Sequence, residues 1–425
     1  MSTDAKGLII ILDGLGDRSC PALGGLTPLE AASTPNMDSL LARGQCGLQD
    51  PLFPGMPVGT HIGTGILMGL SCADAANLAR GPVEAAGIGL PVHPGDVVLR
   101  CNFATLERRG DELAILDRRA GRIKDGTVEL AEVLQDVDLG QGIVGSLHPA
   151  THHRAVLHLK GPCLAAAISD TDPGSGNEQR GVLVSSALDP NDAGSIAAAD
   201  AVNRFVELAV ERLEAHPENQ RRREANLLPA NGIISRSAGH LARFNNLITH
   251  LGCKAAVVTG EDTVDGLARL FGYRVFRDPR FNALPDTDLD AKVETTIAAL
   301  AEHDLVFLHV KGPDICSHDR DPVGKRDFLR RVDSALAPLL DLELVIGVTG
   351  DHSTDCNSGR HCGDPVPSLL CGPTGRRDTV THFGESSCAG GGLGRIPATG
   401  FLTSLLDMMG VVNNFKTGQQ VFFTV

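Results

Sequence analysis

The chain has 425 residues, with 52 Asp plus Glu against 38 Lys plus Arg and a formal net charge of −14. That balance excludes a broad nucleic-acid or anionic-membrane surface, both of which need positive charge, but leaves room for a local basic pocket that binds a small anion. No apolar run approaches the roughly 20 residues of a membrane span, and the absence of Trp with a single Tyr leaves little material for base stacking.

Met1 to Lys6 run into the first strand pattern without a signal-like segment, and eleven cysteines without a CxxC pair fit reduced thiols better than a disulfide framework. Both point to a cytoplasmic protein. "GLIIIL", residues 7–12, reads as a fully buried strand, and Thr34 to Arg43 as a short helix. The segment "PGMPVGTHIGTGILMG", 54–69, reads as a Gly/Thr loop ahead of an apolar helix; such glycines let a phosphate approach backbone N–H groups. It is not a P-loop, because no Gly-Lys-Ser/Thr follows.

From 97 to 160 the pieces are short and alternating, as in "VVLRCNFATL" and "HRAVLHLK", which suits a smaller mixed or antiparallel sheet. A polar loop at 169–181 precedes a long helix from about Ala197 to His216. Then the first rhythm returns: strand 254–259, helices 263–270 and 289–301, strand 305–310, helix 327–340, strand 344–349. The reading is therefore an α/β chain with a mostly parallel layered core, residues 1–90 and 245–425, and a smaller α+β domain inserted at 91–244.

Three core strands run into aspartates. Asp13 ends the first, Asp314 follows the 305–310 strand in "KGPDICSH", and Asp351 follows the 344–349 strand in "TGDHST". In an open parallel sheet the carboxyl ends of strands line one crevice, so these carboxylates converge from distant parts of the chain. Each alone reads equally as a turn or cap residue. The histidines decide otherwise: His318 lies four residues after Asp314, one helical turn away, His352 is adjacent to Asp351, and His361 follows. Mixed carboxylate and imidazole ligands suit manganese, zinc, cobalt or iron, and six such residues exceed what one four-coordinate ion needs, so two ions are expected. "DRRAGRI", 117–123, offers Arg118, Arg119 and Arg122 as planar forks for carboxylate or phosphate oxygens. Further anion-binding candidates are His152, His153 and Arg154, Arg236, and Lys254 at the start of a core strand.

"LDGLGD", "LTPLEAASTPNMDSL", "RCNFAT", "DRRAGRI", "HVKGPDICSHDRD", "TGDHST", "HCGDPVP" and "GGLGRI" together resemble the archaeal-type cofactor-independent phosphoglycerate mutases of the alkaline phosphatase superfamily. The resemblance covers nearly the whole chain. It implies an isomerase of glycolysis and gluconeogenesis that acts on a small phosphorylated substrate, interconverting 3- and 2-phosphoglycerate without 2,3-bisphosphoglycerate. It also implies two divalent ions, manganese first, with zinc, cobalt or magnesium as alternatives. On that pattern Asp314, His318 and His361 hold one ion. Asp13, Asp351 and His352 hold the other with a nucleophilic hydroxyl, which falls on Thr60, and Thr64 is the fallback. The resemblance further assigns Asp117 as a proton shuttle and Arg80 to the substrate. The family motif Ser-Asp-Thr-Ala-His is replaced here by Thr60-His-Ile-Gly-Thr64. That departure keeps open an alternative: a metal-dependent phosphatase or phosphodiesterase of the same superfamily acting on another small phosphate compound.

Overall fold

The computed structural model describes residues 5–241, 244–412, 414 and 419–422. It separates into two compact units: residues up to Leu78 together with those from Phe244 onward, and Ala79–Arg243.

The first unit is built on an eight-stranded sheet. Its order is Arg274–Phe276, Ala255–Val258, Leu305–Val310, Gly7–Leu12, Val345–Thr349, Val366–Cys371, Gly44–Asp50, Gly394–Pro397, and only Val366–Cys371 runs antiparallel to its neighbours. The central strand Gly7–Leu12 is buried on every residue, as its unbroken apolar run requires of a strand covered on both faces. Its register puts Leu12 opposite Val310 and Ile11 opposite Thr349. Three strands thus end flush, and the backbone N–H of Asp13 donates to Val310 O at 3.0 Å.

Helices begin where the sequence supplies caps. Thr27 and Glu30 form a reciprocal capping box, Asp288 accepts from Ala291 N at the start of Leu289–Glu302, and Asp321 caps Pro322–Ala335 with proline in its first turn. The last helix starts five residues earlier than its apolar pattern suggests, because cap and proline set its origin. A larger difference falls on the Gly/Thr segment. Thr60–Leu67 is a helix, so Gly63 and Gly65 lie inside it and not in a preceding loop. A Cβ on Gly63 would come within 1.8 Å of Asp351 O; glycine is required because helix and strand-end backbones touch there.

The second unit holds a six-stranded antiparallel sheet. Strand Val97–Arg109 pairs with Glu112–Asp117, Arg154–Lys160 and Gly232–Gly239; Val144–Pro149 and Val137–Asp138 continue beyond Arg154–Lys160. The 22-residue helix Ala193–Glu214 buries an alanine- and valine-rich stripe with Phe205 against this sheet. Helix Arg80–Gly87 packs on Val97–Arg109 and Gly232–Gly239, so the unit begins at residue 79, where the sequence pattern places the change near 91. All eleven cysteines are free thiols. Among the described residues, no helix is long and apolar enough to cross a membrane.

Candidate metal centre and substrate residues

At the carboxyl edge of the large sheet, six side chains expected from the sequence come together. Asp314, His318 and His361 form one triad of ligand atoms, and Asp13, Asp314 and His352 a second, so Asp314 belongs to both. Asp351 stands beside the second triad, its Oδ2 3.6 Å from His352 Nε2. It accepts from Thr64 Oγ1 at 3.0 Å and from Gly14 N at 3.2 Å. Gly14 has φ +65°, and a Cβ there would lie 2.9 Å from Asp314 Oδ1, which explains the glycine after Asp13.

The partners of the imidazoles set their tautomers. His318 Nδ1 lies 2.8 Å from Gly359 O and His361 Nδ1 2.7 Å from Val58 O. A carbonyl only accepts, so both Nδ1 atoms carry hydrogen and both neutral rings present a lone pair at Nε2. Those two Nε2 atoms are 3.2 Å apart and face Asp314 at 3.3 and 3.6 Å. These converging atoms could hold a cation, and carboxylate with imidazole is a fitting donor set for a divalent transition ion.

Burial opposes ionisation of Asp314, but the Lys311 ammonium beside it holds the carboxyl well below the carboxylate range. Burial and the negative charge of Asp13 push Asp351 well above that range. His352 is driven down to about 3 by burial and by the His361 ring stacked on it.

Thr60 is the first residue of its helix and is buried. Its Oγ1 lies 3.4 Å from His352 Nε2 and accepts from Lys311 Nζ at 2.9 Å. Lys311 was not singled out by the sequence reading. It also contacts Asp13 at 2.9 and 3.0 Å and Asp314 at 2.7 Å. Burial works against its charge, yet Asp13 and Asp314 outweigh burial and raise its pKa above the lysine range. His309, also missed, is buried in the neighbouring strand with Nε2 3.0 Å from Asp13 Oδ2 and Nδ1 3.3 Å from Thr259 Oγ1.

Lys254 needs correction. It precedes strand Ala255–Val258, which is parallel to Leu305–Val310 in the register Ala255↔Leu305, so it stands at the amino edge of the sheet, away from the metal-binding edge. Its backbone is tied there to Asp304.

The remaining expected residues lie in the second unit. Arg118 is nearly buried and forks onto Asp172, with Nη2 2.7 Å from Oδ1 and 2.5 Å from Oδ2. Asp172 thus occupies a guanidinium expected to meet substrate. Other positive charges lie around it. Burial and then Arg122, Arg118 and Arg154 lower the Arg119 pKa; burial and then Arg100 bring Arg236 down to about 10; burial and then Arg154, Arg119 and Arg100 push His153 to about 3. Arg100, absent from the sequence expectations, pairs with the buried Glu84 at 3.4 Å, as Arg80 does at 3.1 Å. Asp117 Oδ1 accepts from Arg119 N at 2.7 Å and Gly121 N at 3.2 Å, closing the turn that carries Arg119 and Arg122.

The sequence matches the metalloenzyme superfamily over residues 5–408. A 2,3-bisphosphoglycerate-independent phosphoglycerate mutase of Methanopyrus kandleri is 39% identical over 421 residues, 97% of this chain and 98% of the relative. One of Methanoculleus marisnigri is 39% identical over 407 residues, 95% and 97% of the two chains. The chain belongs to this mutase family. Its fold is shared with a solved protein of Pyrococcus horikoshii, TM-score 0.80 and 33% identity over 98% of this chain and 100% of that one. A cofactor-independent phosphoglycerate mutase of Thermoplasma acidophilum gives TM-score 0.66 and 31% identity over 96% and 100%.

Against the family motif quoted above, the exchange to Thr60-His-Ile-Gly-Thr64 retains a hydroxyl at the helix start. Thr64, the fallback, is committed as a donor to Asp351. Two signals for the missed mutase residues were in the sequence: His309 interrupts an otherwise apolar strand, and Lys311 follows that strand three residues before Asp314.

Proposed function

We propose that this chain interconverts 3- and 2-phosphoglycerate through a phosphothreonine on Thr60, with two divalent ions and without 2,3-bisphosphoglycerate. The observation that carries this reading is the position of the Thr60 hydroxyl, 2.9 Å from Lys311 Nζ and 3.4 Å from His352 Nε2, beside two ligand triads joined by Asp314. Asp314, His318 and His361 would hold one ion, and Asp13, His352 and Asp314, with Asp351 adjacent, the other. When bound, the ions supply Lewis-acid charge that acidifies a hydroxyl and neutralises a phosphoryl group, and manganese suits the donor set, with zinc, cobalt or magnesium as alternatives.

The chain's own residues then do the following. Lys311 holds the Thr60 oxygen by donating to it, so a lone pair stays oriented. That oxygen bonds to phosphorus as the bond from phosphorus to the 3-oxygen of the substrate breaks; Thr60 gives up its proton and the departing glycerate oxygen gains one. Arg119, Arg122, Arg154, Arg236 and His153 grip the carboxylate of the retained glycerate, while Arg118 and Arg80, paired with Asp172 and Glu84, brace that surface. Asp117 carries the proton between the two glycerate hydroxyls. The 2-oxygen attacks the phosphothreonine, and Thr60 recovers its proton. The substrate is a small phosphorylated acid and the location cytoplasmic.

The test is a coupled assay of 3- to 2-phosphoglycerate conversion, with and without Mn²⁺ and without 2,3-bisphosphoglycerate, beside Thr60→Ala and Thr64→Ala. Turnover that needs Mn²⁺ and vanishes in Thr60→Ala supports the reading. Release of free phosphate without 2-phosphoglycerate overturns it in favour of a phosphatase, and loss confined to Thr64→Ala moves the nucleophile.

A further inference from the structure

Thr354 has no exposed surface and lies in the short strand Ser353–Asp355, which pairs with Arg360–Cys362 so that Thr354 is directly opposite His361. Its backbone N–H donates to Gly16 O at 2.9 Å, which ties it to the loop following Asp13. Its Oγ1 is 2.8 Å from Asp314 Oδ1 and 3.0 Å from His352 Nδ1.

A threonine hydroxyl has one hydrogen, and a carboxylate oxygen can only accept. The hydrogen therefore goes to Asp314, and the bond to His352 must be donated by the ring. This fixes hydrogen on Nδ1 and leaves the lone pair on Nε2. That nitrogen faces the centre, 3.4 Å from both Asp13 Oδ1 and Thr60 Oγ1. In the opposite tautomer an N–H would point at the centre and the ring could not ligate.

His318 and His361 reach the same protonation pattern through backbone carbonyls, Gly359 O and Val58 O. Of the three imidazoles, His352 alone has its tautomer set by a side chain. Moreover, that side chain also bonds the carboxylate shared by both triads. We propose that Thr354 is a positioning residue that locks the ligating tautomer of His352 and orients Asp314, so that one hydroxyl organises both halves of the centre. The proposal rests on the reading of Asp314 and His352 as metal ligands.

Thr354→Val keeps the shape and removes the hydroxyl; Thr354→Ser keeps the hydroxyl. Mn²⁺ titration calorimetry on the metal-free full chain, with Co²⁺ visible absorption as a readout of coordination, separates them. Loss of such an outer partner weakens metal binding about 10–100-fold. That loss, with an altered Co²⁺ spectrum, is expected for Thr354→Val, and wild-type affinity and spectrum for Thr354→Ser. Unchanged Mn²⁺ affinity and Co²⁺ spectrum in Thr354→Val overturn the proposal while leaving the metal centre intact. A wild-type chain that binds no Mn²⁺ overturns the metal centre and this proposal with it. Should Thr354→Val not fold, long-range ¹H–¹⁵N correlation on ¹⁵N-histidine-labelled wild type decides, with His352→Gln identifying the signal. Hydrogen on Nδ1 is expected, and hydrogen on Nε2 overturns the assignment.

Discussion

Lys311 Nζ stands 2.9 Å from Thr60 Oγ1 while also contacting Asp13 and Asp314. One buried ammonium thus faces two carboxylates and donates to the Thr60 hydroxyl. In Lys311→Met the carboxylates lose this partner inside the protein, a change that costs about 3–5 kcal/mol. The metal-free variant should melt well below metal-free wild type, and Mn²⁺ should close most of the gap, because added cations restore the missing charge. Turnover of the loaded variant should fall about 10²–10³-fold, as for loss of one preorganised donor at a reacting oxygen. Thermal melts with and without Mn²⁺, and saturating-substrate kinetics, check both.

His309 supplies a second support to Asp13. Thr259 Oγ1 accepts from Glu261 N at 3.0 Å, so its own hydrogen is free for His309 Nδ1, and the ring hydrogen falls on Nε2, which donates to Asp13 Oδ2. His309→Leu removes that donor and should weaken Mn²⁺ binding by about tenfold or more. His309→Gln, whose amide can donate from nearly the same place, should recover most of it. Calorimetric Mn²⁺ affinities that are equal in wild type and His309→Leu would rule out the role.

Much of the core was legible because its signals are local. An unbroken apolar run such as Gly7–Leu12, or a carboxylate at a strand end with a histidine four residues on, needs no knowledge of distant sequence. Lys311, His309 and Thr354 were not legible, since each acquires meaning only from a neighbour across the sheet. Lysine after a strand is ordinarily a solvated charge, and it becomes a counter-ion only when the register sets Leu12 beside Val310. Lys254 failed for the converse reason: its residue type suits phosphate, but strand direction puts it on the wrong edge. Gly63 reads along the chain as part of a phosphate-approachable loop ahead of a helix, and the approach of Asp351 O that demands glycine inside the helix is not visible there. Arg118 illustrates the same limit, because its partner Asp172 lies in a polar loop with no marking of its own.

The loop bearing Asp13 and Gly14 is held from beneath by a fully buried ion pair. Lys325 Nζ donates to Asp17 Oδ2 and to Gly14 O, each at 2.8 Å, and Asp17 Oδ1 accepts from Cys356 N at 3.0 Å. Lys325→Met strands the Asp17 charge and should destabilise the chain by about 3–5 kcal/mol. The double variant Lys325→Met with Asp17→Asn should be more stable than Lys325→Met alone, since no charge is then left without its partner. Denaturant melts of the three proteins measure the difference, and a double variant no more stable than the single one would show that the pair's charge is not what matters.

Glu385 gives stability a pH dependence of defined sign. Its Oε2 accepts from Thr27 Oγ1 at 2.6 Å and its Oε1 from Asp17 N at 3.1 Å, but burial outweighs these bonds and pushes the carboxyl up to about 7. An unfolded glutamate titrates near about 4.3. Between these values the folded chain binds the proton that the unfolded chain has already released, so stability falls as pH rises from about 4.3 to 7 and is level in this group's contribution above that. The partial solvent contact of the side chain limits the total to about 2 kcal/mol. Glu385→Gln cannot ionise and should flatten this stretch of the curve, so that its gain over wild type grows from pH 5 to pH 8. Urea melts of both proteins at pH 5, 6, 7 and 8 test the sign, and a gap that narrows toward pH 8 would reverse it.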